Sequence, residues 1–335
     1  MLRSRITGVG SYLPPRVVTN DDLAAMMDTS DEWIVSRTGI HERHWVDENT
    51  STTDLGLEAA NRALASAGIA KEDLDLLVFA TLSPDHEFPG NACFLQAKMD
   101  LPGLPALDIR QQCTGFVYAV SVTDALIRTG AYRTALVVGA EVHSKGLDIS
   151  TEGRDLSVLF GDGAGAVVLQ ATDVQDPRTE SCVLSAHLHA DGSFAKSLWL
   201  PAPGMVYPRF MSPDLMEAGL HYPQMDGRTV FVHAVTQMPA AVHEALDHNG
   251  FTTDDVDLFV FHQANQRINE AVAHRLGAPP EKVVNTIDHT ANTTAATIPI
   301  CLDEAVTAGR LEPGMLVAVA AFGSGFTWGS LLLRW

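Results

Sequence analysis

Cysteine is scarce in this chain: four in 335 residues, at 93, 113, 182 and 301, with no CxxC pair. So thin a set excludes a disulfide-stapled scaffold and makes a reducing compartment, the cytoplasm, the expected location. The histidines show no HExxH or Cys/His zinc spacing, so no metal is expected. Long apolar runs are missing too. The longest, such as Met315–Phe322, fall far short of the ~20 residues that span a bilayer, and no membrane insertion is expected. The opening Met-Leu-Arg-Ser-Arg-Ile-Thr-Gly lacks the apolar stretch of a secretory leader. Positive charge is in deficit, with 22 Lys plus Arg against 41 Asp plus Glu and a net charge of −19. That balance excludes a broad nucleic-acid-binding surface but leaves room for a polyanion held by a few local arginines.

What the chain does carry is 46% apolar and 19% charged residues, enough for a large core. The length suits two domains or one doubled fold. Helix and strand signals alternate. A short strand is predicted at Ile6–Gly8, then a helix over Asp21–Met27 capped by Asn20, and a second helix capped by Ser30. A helix from about Asp54 to Ala67 ends at Gly68, and the apolar runs Leu76–Thr81 and Ala135–Gly139 read as buried parallel strands. An amphipathic helix follows Cys113 and stops at Gly130. Val158–Phe160 and Ala166–Leu169, around Gly161-Asp-Gly163, read as a hairpin.

An internal repeat organises these elements. Asp73-Leu-Asp-Leu-Leu-Val-Phe79 returns as Asp255-Val-Asp-Leu-Phe-Val-Phe261, each after a helix ending in glycine, Gly68 or Gly250. Leu136-Val-Val returns as Leu316-Val-Ala, and the helix after Cys113 has a counterpart after Asn292. A near-constant offset predicts a duplicated α/β fold with halves 1–172 and 173–335, joined in the polar stretch Ala171–Glu180. Ligands of such sheets bind outside the carboxyl ends of the strands. Residues leaving equivalent strands or opening equivalent helices should therefore converge on a shared cleft: Cys113, His262 and Asn292.

Each of these has two readings. Cys113, at a predicted helix start, is either a nucleophile whose pKa the helix dipole draws below the ~8.5 of a free thiol, or a small buried hydrophobe. Cys93, Cys182 and Cys301 have no such setting and read as core. His262 leaves a buried strand and is either a cleft residue or a structural one, while Asn292 is also a good helix cap. Gly161–Gly165 lacks a GxGxxG pattern opening a helix and reads as a structural turn. The small residues of Ala321–Ser330 would let backbone N–H groups face the cleft as an oxyanion hole.

Taken together, Asp31-Glu-Trp-Ile-Val-Ser-Arg-Thr-Gly-Ile40, Cys113-Thr-Gly-Phe116, Leu159-Phe-Gly-Asp-Gly-Ala-Gly165, His262-Gln-Ala-Asn-Gln-Arg-Ile268, Asn292-Thr-Thr-Ala-Ala-Thr-Ile-Pro299 and Ala321-Phe-Gly-Ser-Gly-Phe-Thr-Trp-Gly329 resemble the β-ketoacyl-acyl-carrier-protein synthase III family of the thiolase superfamily. The resemblance runs nearly end to end and implies a thiolase-like duplicated five-layer α/β/α/β/α sandwich, usually a homodimer. It implies that Cys113 takes an acyl group from acyl-CoA, that His262 and Asn292 donate hydrogen bonds to a malonyl thioester as CO₂ leaves, that the Cys113 and Ser324 backbone N–H groups form the oxyanion hole, and that no metal or redox cofactor is required. Trp33, Arg37, Arg154 and Asn265 are implied as CoA contacts, Phe88 as lining the acyl pocket, and Arg267 as a docking residue for acyl carrier protein. Fatty-acid initiation is the implied role; the alternative is a relative of secondary metabolism or quinolone signalling with an unusual primer or acceptor.

Several positions depart from the family pattern. Ala291 precedes Asn292 where glycine is usual, Gln111-Gln112 precede Cys113 where small residues are usual, Ser324 replaces a glycine, and Ser197–Gly227 is long. A papain-like protease also orders Cys, His and Asn, but its Cys-Gly-Ser-Cys-Trp signature is absent. A degradative thiolase would need a second cysteine near the C-terminal glycines. A 3-hydroxy-3-methylglutaryl-CoA synthase would need a cleft glutamate, for which Glu87 is the nearest candidate, and a non-catalytic subunit would not need to keep Cys113, His262 and Asn292 together.

Overall fold

The computed structural model describes residues 1–335. Its strands in the first half of the chain are β1 (Leu2–Tyr12), β2 (Arg16–Thr19), β3 (Glu42–Trp45), β4 (Leu76–Ala80), β5 (Ala106–Ile109), β6 (Thr134–Glu141) and β7 (Gly163–Asp173). Those that follow are β8 (Cys182–Ala190), β9 (Leu198–Trp199), β10 (Gln224–Met225), β11 (Leu258–Phe261), β12 (Val283–Val284), β13 (Leu316–Gly323) and β14 (Thr327–Arg334). Two five-stranded sheets result, ordered β1-β7-β6-β4-β5 and β8-β14-β13-β11-β12. In each, the two inner parallel strands (β4 and β6, β11 and β13) sit beside an antiparallel pair that closes the sheet on one side.

The layers follow from which faces are apolar. Leu76, Val78 and Ala80 of β4 point to one side and Leu77 and Phe79 to the other, and all are buried. Such a strand reads as an unbroken apolar run because helices cover both faces. The inward face packs with the helices Gly115–Arg128 and Thr297–Thr307, which also meet Val260, Val317 and Val319 of the second sheet. The outward faces are covered by the helices Thr52–Ala67 and Asn91–Lys98 on one side and Gly227–Asn249 and Gln266–Leu276 on the other. Helices, sheet, helices, sheet, helices make the expected five-layer duplicated α/β sandwich.

Several local expectations are corrected. The first strand is β1, longer than Ile6–Gly8, because it pairs along its length with β7. The first helix, Asn20–Ala24, is capped by Thr19, whose hydroxyl accepts the Asp22 N–H while the Asp22 carboxylate accepts the Thr19 N–H. Asn20 is instead buried, donating to Asp31 and to the Ile40 carbonyl and accepting from the fully buried Arg43. No hairpin forms around Gly161. The backbone there is taken by another partner: Asn292 donates to the Leu159 carbonyl, and Gly161 donates to that of Asn292. Cys93 is exposed, not core, whereas Cys182 and Cys301 are buried.

Candidate active site

Cys113 lies in a single 3₁₀ turn, Gln112–Thr114, just ahead of the helix Gly115–Arg128 rather than in its first turn. A matching turn, Thr294–Ala296, precedes the helix Thr297–Thr307. The counterpart of Cys113 is thus Ala295; Asn292 stands before that turn. His262 directly follows β11, its N–H bonded to the Ala320 carbonyl. Cys113, His262 and Asn292 all line one cavity of about 630 Å³.

Backbone strain collects at these residues. Gln112 (φ 46°), Ala291 (φ 54°) and Thr294 (φ 48°) adopt left-handed φ values that non-glycine residues rarely take. One precedes the nucleophile candidate and two flank Asn292, the distribution expected where tertiary contacts hold a site in a costly conformation. Ala291, with ψ −162°, takes up a conformation suited to the glycine usual there. The Asn292 Oδ1 accepts the Thr294 N–H at 2.9 Å, which leaves its Nδ2 as the donor end. Gly323 is required by space: a Cβ there would lie 2.6 Å from the Cys113 Cβ.

The electrostatics differ from the expectation of an acidic thiol. Burial pushes the Cys113 thiol up to about 12, with the Glu141 charge adding to the rise and the Ser324 and Cys113 backbone N–H groups opposing it. Loss of hydration in the cleft outweighs the few N–H groups on offer. The Ser324 hydroxyl donates to the Leu198 carbonyl. Burial draws His262 down to about 3, so its imidazole is neutral. Its Nδ1 bonds to Thr297 Oγ1 at 2.8 Å, and its buried Nε2 has no partner.

Glu141 escapes sequence reasoning, since it reads merely as the polar end of an apolar strand. Its carboxylate accepts from Thr81 Oγ1, Ser83 Oγ and the backbone N–H groups of Leu82, Ser83 and Ala295. Burial still lifts it to about 7 against those bonds. It ties the loop after β4 to the turn that follows Asn292.

Trp33, Arg37, Asn265 and Arg267 line the same cavity. Arg37 and Arg154 lie over the Trp33 ring, 4.4 and 5.1 Å from its centroid. Arg154 is not in the cavity wall; it pairs with Asp28 at 3.7 Å and Asp155 at 3.9 Å. Asn265 caps the helix Gln266–Leu276 and its Nδ2 donates to the Arg37 carbonyl at 2.9 Å, joining the two sides of the opening. Arg228, also in the wall, stands in no motif of the sequence; only the tertiary fold brings it to the cavity that Arg37 and Arg267 line. Phe88 lies on the loop after β4, 83% exposed and outside the cavity of its own chain. From the long 197–227 segment come Leu198, Met225 and Gly227 of the wall. No group of three or more His, Cys, Asp or Glu side chains is placed to hold a metal, and no helix is long and apolar enough to cross a membrane.

Comparison with known proteins agrees with this geometry. Residues 107–192 match the family model for 3-oxoacyl-[acyl-carrier-protein] synthase III, and residues 246–335 match that for its C-terminal part. The chain is 48% identical to the β-ketoacyl-[acyl-carrier-protein] synthase III of Rhodospirillum rubrum over 335 residues, all of both chains. It is 47% identical to that of Xanthomonas euvesicatoria over 332 residues, 99% of this chain and 98% of the relative. The crystal structure of the Pseudomonas aeruginosa synthase III superposes with a TM-score of 0.90 at 41% identity, covering 99% of this chain and 98% of that one. With its cysteine, imidazole and carboxamide drawn to one cavity of a doubled sheet, the chain belongs to the β-ketoacyl-[acyl-carrier-protein] synthase III family of condensing enzymes.

Proposed function

We propose that this condensing enzyme begins fatty-acid synthesis by moving an acyl group from acyl-CoA to Cys113 and condensing it with a malonyl thioester. The sulfur attacks the thioester carbonyl, and the Cys113 and Ser324 N–H groups receive the negative charge that develops on its oxygen. The malonyl thioester then sets its carbonyl oxygen against His262 and the Asn292 Nδ2. Loss of CO₂ leaves an enolate that these donors stabilise, and its carbon attacks the acyl group on Cys113. Uncharged donors suit the step because the enolate charge appears only as the carboxylate departs. Acyl-CoA and the malonyl thioester supply all the reacting groups.

The single observation that carries the reading is that Cys113, His262 and Asn292, far apart in sequence, line one cavity whose wall also holds Trp33, Arg37, Arg228 and Arg267. Phosphates of CoA suit Arg37 and Arg228, and the adenine suits the Trp33 face, from which Arg154 would swing aside. Arg267 gives an acidic carrier protein a basic contact in a chain of net charge −19. A homodimer forms by this reading along β5, an edge strand paired only with β4, beside which Leu107 and Phe88 are exposed. Phe88 then meets an acyl pocket only across that interface. Primary fatty-acid initiation is preferred to secondary metabolism because identities of 46–48% are to synthase III enzymes, against 32% for a priming ketosynthase of a polyketide pathway.

The test is acyl transfer followed by intact-protein mass. Wild type should gain one acyl group from acyl-CoA and lose it when malonyl thioester is added. Cys113→Ala should gain none; full acylation of that variant would end the assignment.

A further inference from the structure

We propose that His143 is a positioning residue for the decarboxylation step: through Thr294 it fixes the Asn292 carboxamide with Nδ2 as the free donor end. The inference rests on the condensation reading of the same cavity and names what holds one of its two donors.

An asparagine amide can turn over, exchanging its donor and acceptor ends, unless a partner selects one. The Thr294 N–H makes that selection, donating to Asn292 Oδ1 at 2.9 Å. Thr294 makes the bond in a left-handed conformation, φ 48°, that a β-branched residue adopts at a cost. Its surroundings must hold it there. The Thr294 carbonyl accepts the Thr297 hydroxyl at 2.9 Å, and the Thr294 hydroxyl meets His143 Nε2 at 2.6 Å. His143, Thr294 and Asn292 are all buried, so no bulk water competes for these bonds.

His143 is fixed in turn. Its N–H donates to Asp162 Oδ1 at 2.7 Å, and its ring packs on Phe160 with centroids 4.7 Å apart. The Asp162 carboxylate also accepts the Val46 and Ser144 N–H groups. The same segment returns to Asn292, since Gly161 donates to the Asn292 carbonyl and Leu159 accepts the Asn292 N–H. A closed ring results: Asn292, Thr294, His143, Asp162, Gly161 and back to Asn292. Burial draws His143 down to about 3, so its ring is neutral and brings no charge to the enolate. It acts through geometry. Without it the Thr294 hydroxyl is buried with no partner, the strained turn can relax, and the amide loses the bond that selects its donor end. The ring shares no hydrogen bond with the turn Gln112–Thr114 or with Ser324, which acylation uses.

The experiment uses the full chain and reads the two half-reactions separately. Acylation is followed as CoA released from acetyl-CoA. Decarboxylation is followed as ¹⁴CO₂ released by acetylated enzyme from malonyl-acyl carrier protein labelled in its carboxylate. His143→Leu removes Nε2 and keeps an apolar side chain against Phe160. It should slow kcat for CO₂ release about tenfold, with KM for the malonyl carrier protein and the acylation rate unchanged. His143→Gln, whose amide can reach the place of Nε2, should recover most of the rate. Thr294→Ala should reproduce the defect, and the double variant should be no slower than either single one, as for two residues that act through one bond. Wild-type CO₂ release by His143→Leu, equal loss of both half-reactions, or additive losses in the double variant overturns the proposal. If His143→Leu does not fold, Thr294→Ala and Thr294→Ser decide it: the first must lose CO₂ release selectively and the second must keep it. Wild-type protein that takes no acetyl group, or takes it and releases no CO₂, would instead overturn the functional reading itself.

Discussion

The two short turns that open the central helices, Gln112–Thr114 and Thr294–Ala296, occupy the same place in the two sheets and hold different chemistry. Leu76 and Leu258, Gln112 and Thr294, Gly115 and Thr297, and Thr134 and Leu316 begin matching elements at one common spacing. At that spacing Cys113 corresponds to Ala295, Glu141 to Gly323, and Ala80 to His262. Behind Ala295 the Glu141 carboxylate fills the space and accepts its N–H at 3.4 Å. Behind Cys113 stands Gly323, with no side chain. One turn is held by a buried carboxylate and the other lies in close contact with the backbone of a glycine. The comparison teaches that the doubled backbone is kept while the side chains at equivalent places divide the labour: one half supplies the sulfur, the other the imidazole and carboxamide.

Adding a side chain at Gly323 should break that division most. Gly323→Ala places a Cβ 2.6 Å from the Cys113 Cβ, and a displacement of the sulfur by a fraction of an ångström to an ångström costs roughly a hundredfold in acylation rate. Stopped-flow release of CoA measures it; an unchanged rate would show that this close approach is not needed. Loosening the side held by the carboxylate should act on stability instead. Glu141→Gln turns an amide donor toward groups that all donate, at a cost of about 1–3 kcal/mol in urea unfolding. Cys113 should at the same time become easier to ionise, seen as faster thiol alkylation at a given pH.

A smaller effect sharpens the comparison. Ala291→Gly removes the strain of φ 54° and ψ −162° beside Asn292. Strain relief of ~1–3 kcal/mol, less the greater freedom of glycine in the unfolded chain, predicts a gain of about 1 kcal/mol. The smallest effect is expected at His289, partly exposed and outside the cavity wall. Glu304, and then Asp288, raise its imidazole to about 9, against burial. Because the folded value lies above the ordinary one of 6.5, its contribution is complete below that pH and is lost as pH rises through about 9. Solvent screening limits it to about 0.5 kcal/mol. His289→Gln should therefore lower Tm slightly at pH 6 and not at all at pH 10.

Features with local causes were readable along the chain. Gly68 ends its helix in the left-handed conformation, Ser30 accepts the Trp33 N–H, and β4 and β11 follow from apolar runs that need cover on both faces. The repeat and the motifs around Cys113, His262 and Asn292 also pointed to the cavity. Where a choice depended on a distant partner, the reading failed. Thr19 rather than Asn20 caps the first helix because Arg43, Asp31 and Ile40 occupy the Asn20 side chain. Val158–Phe160 is not a hairpin strand because the Val158 and Leu159 N–H groups bond back to Arg154 and Leu156, and the Leu159 carbonyl is taken by Asn292.

Sequence by itself determined the elements, their duplication and the residue types available for acyl transfer, since these rest on periodicity and spacing carried by neighbouring residues. Tertiary structure alone decided the ionisation of Cys113 and His262, the place of Glu141 behind Ala295, and the hydroxyl that meets His262 Nδ1. Hydration lost on burial and the donors met across the fold are sums over atoms far apart in the chain, and no local pattern encodes them.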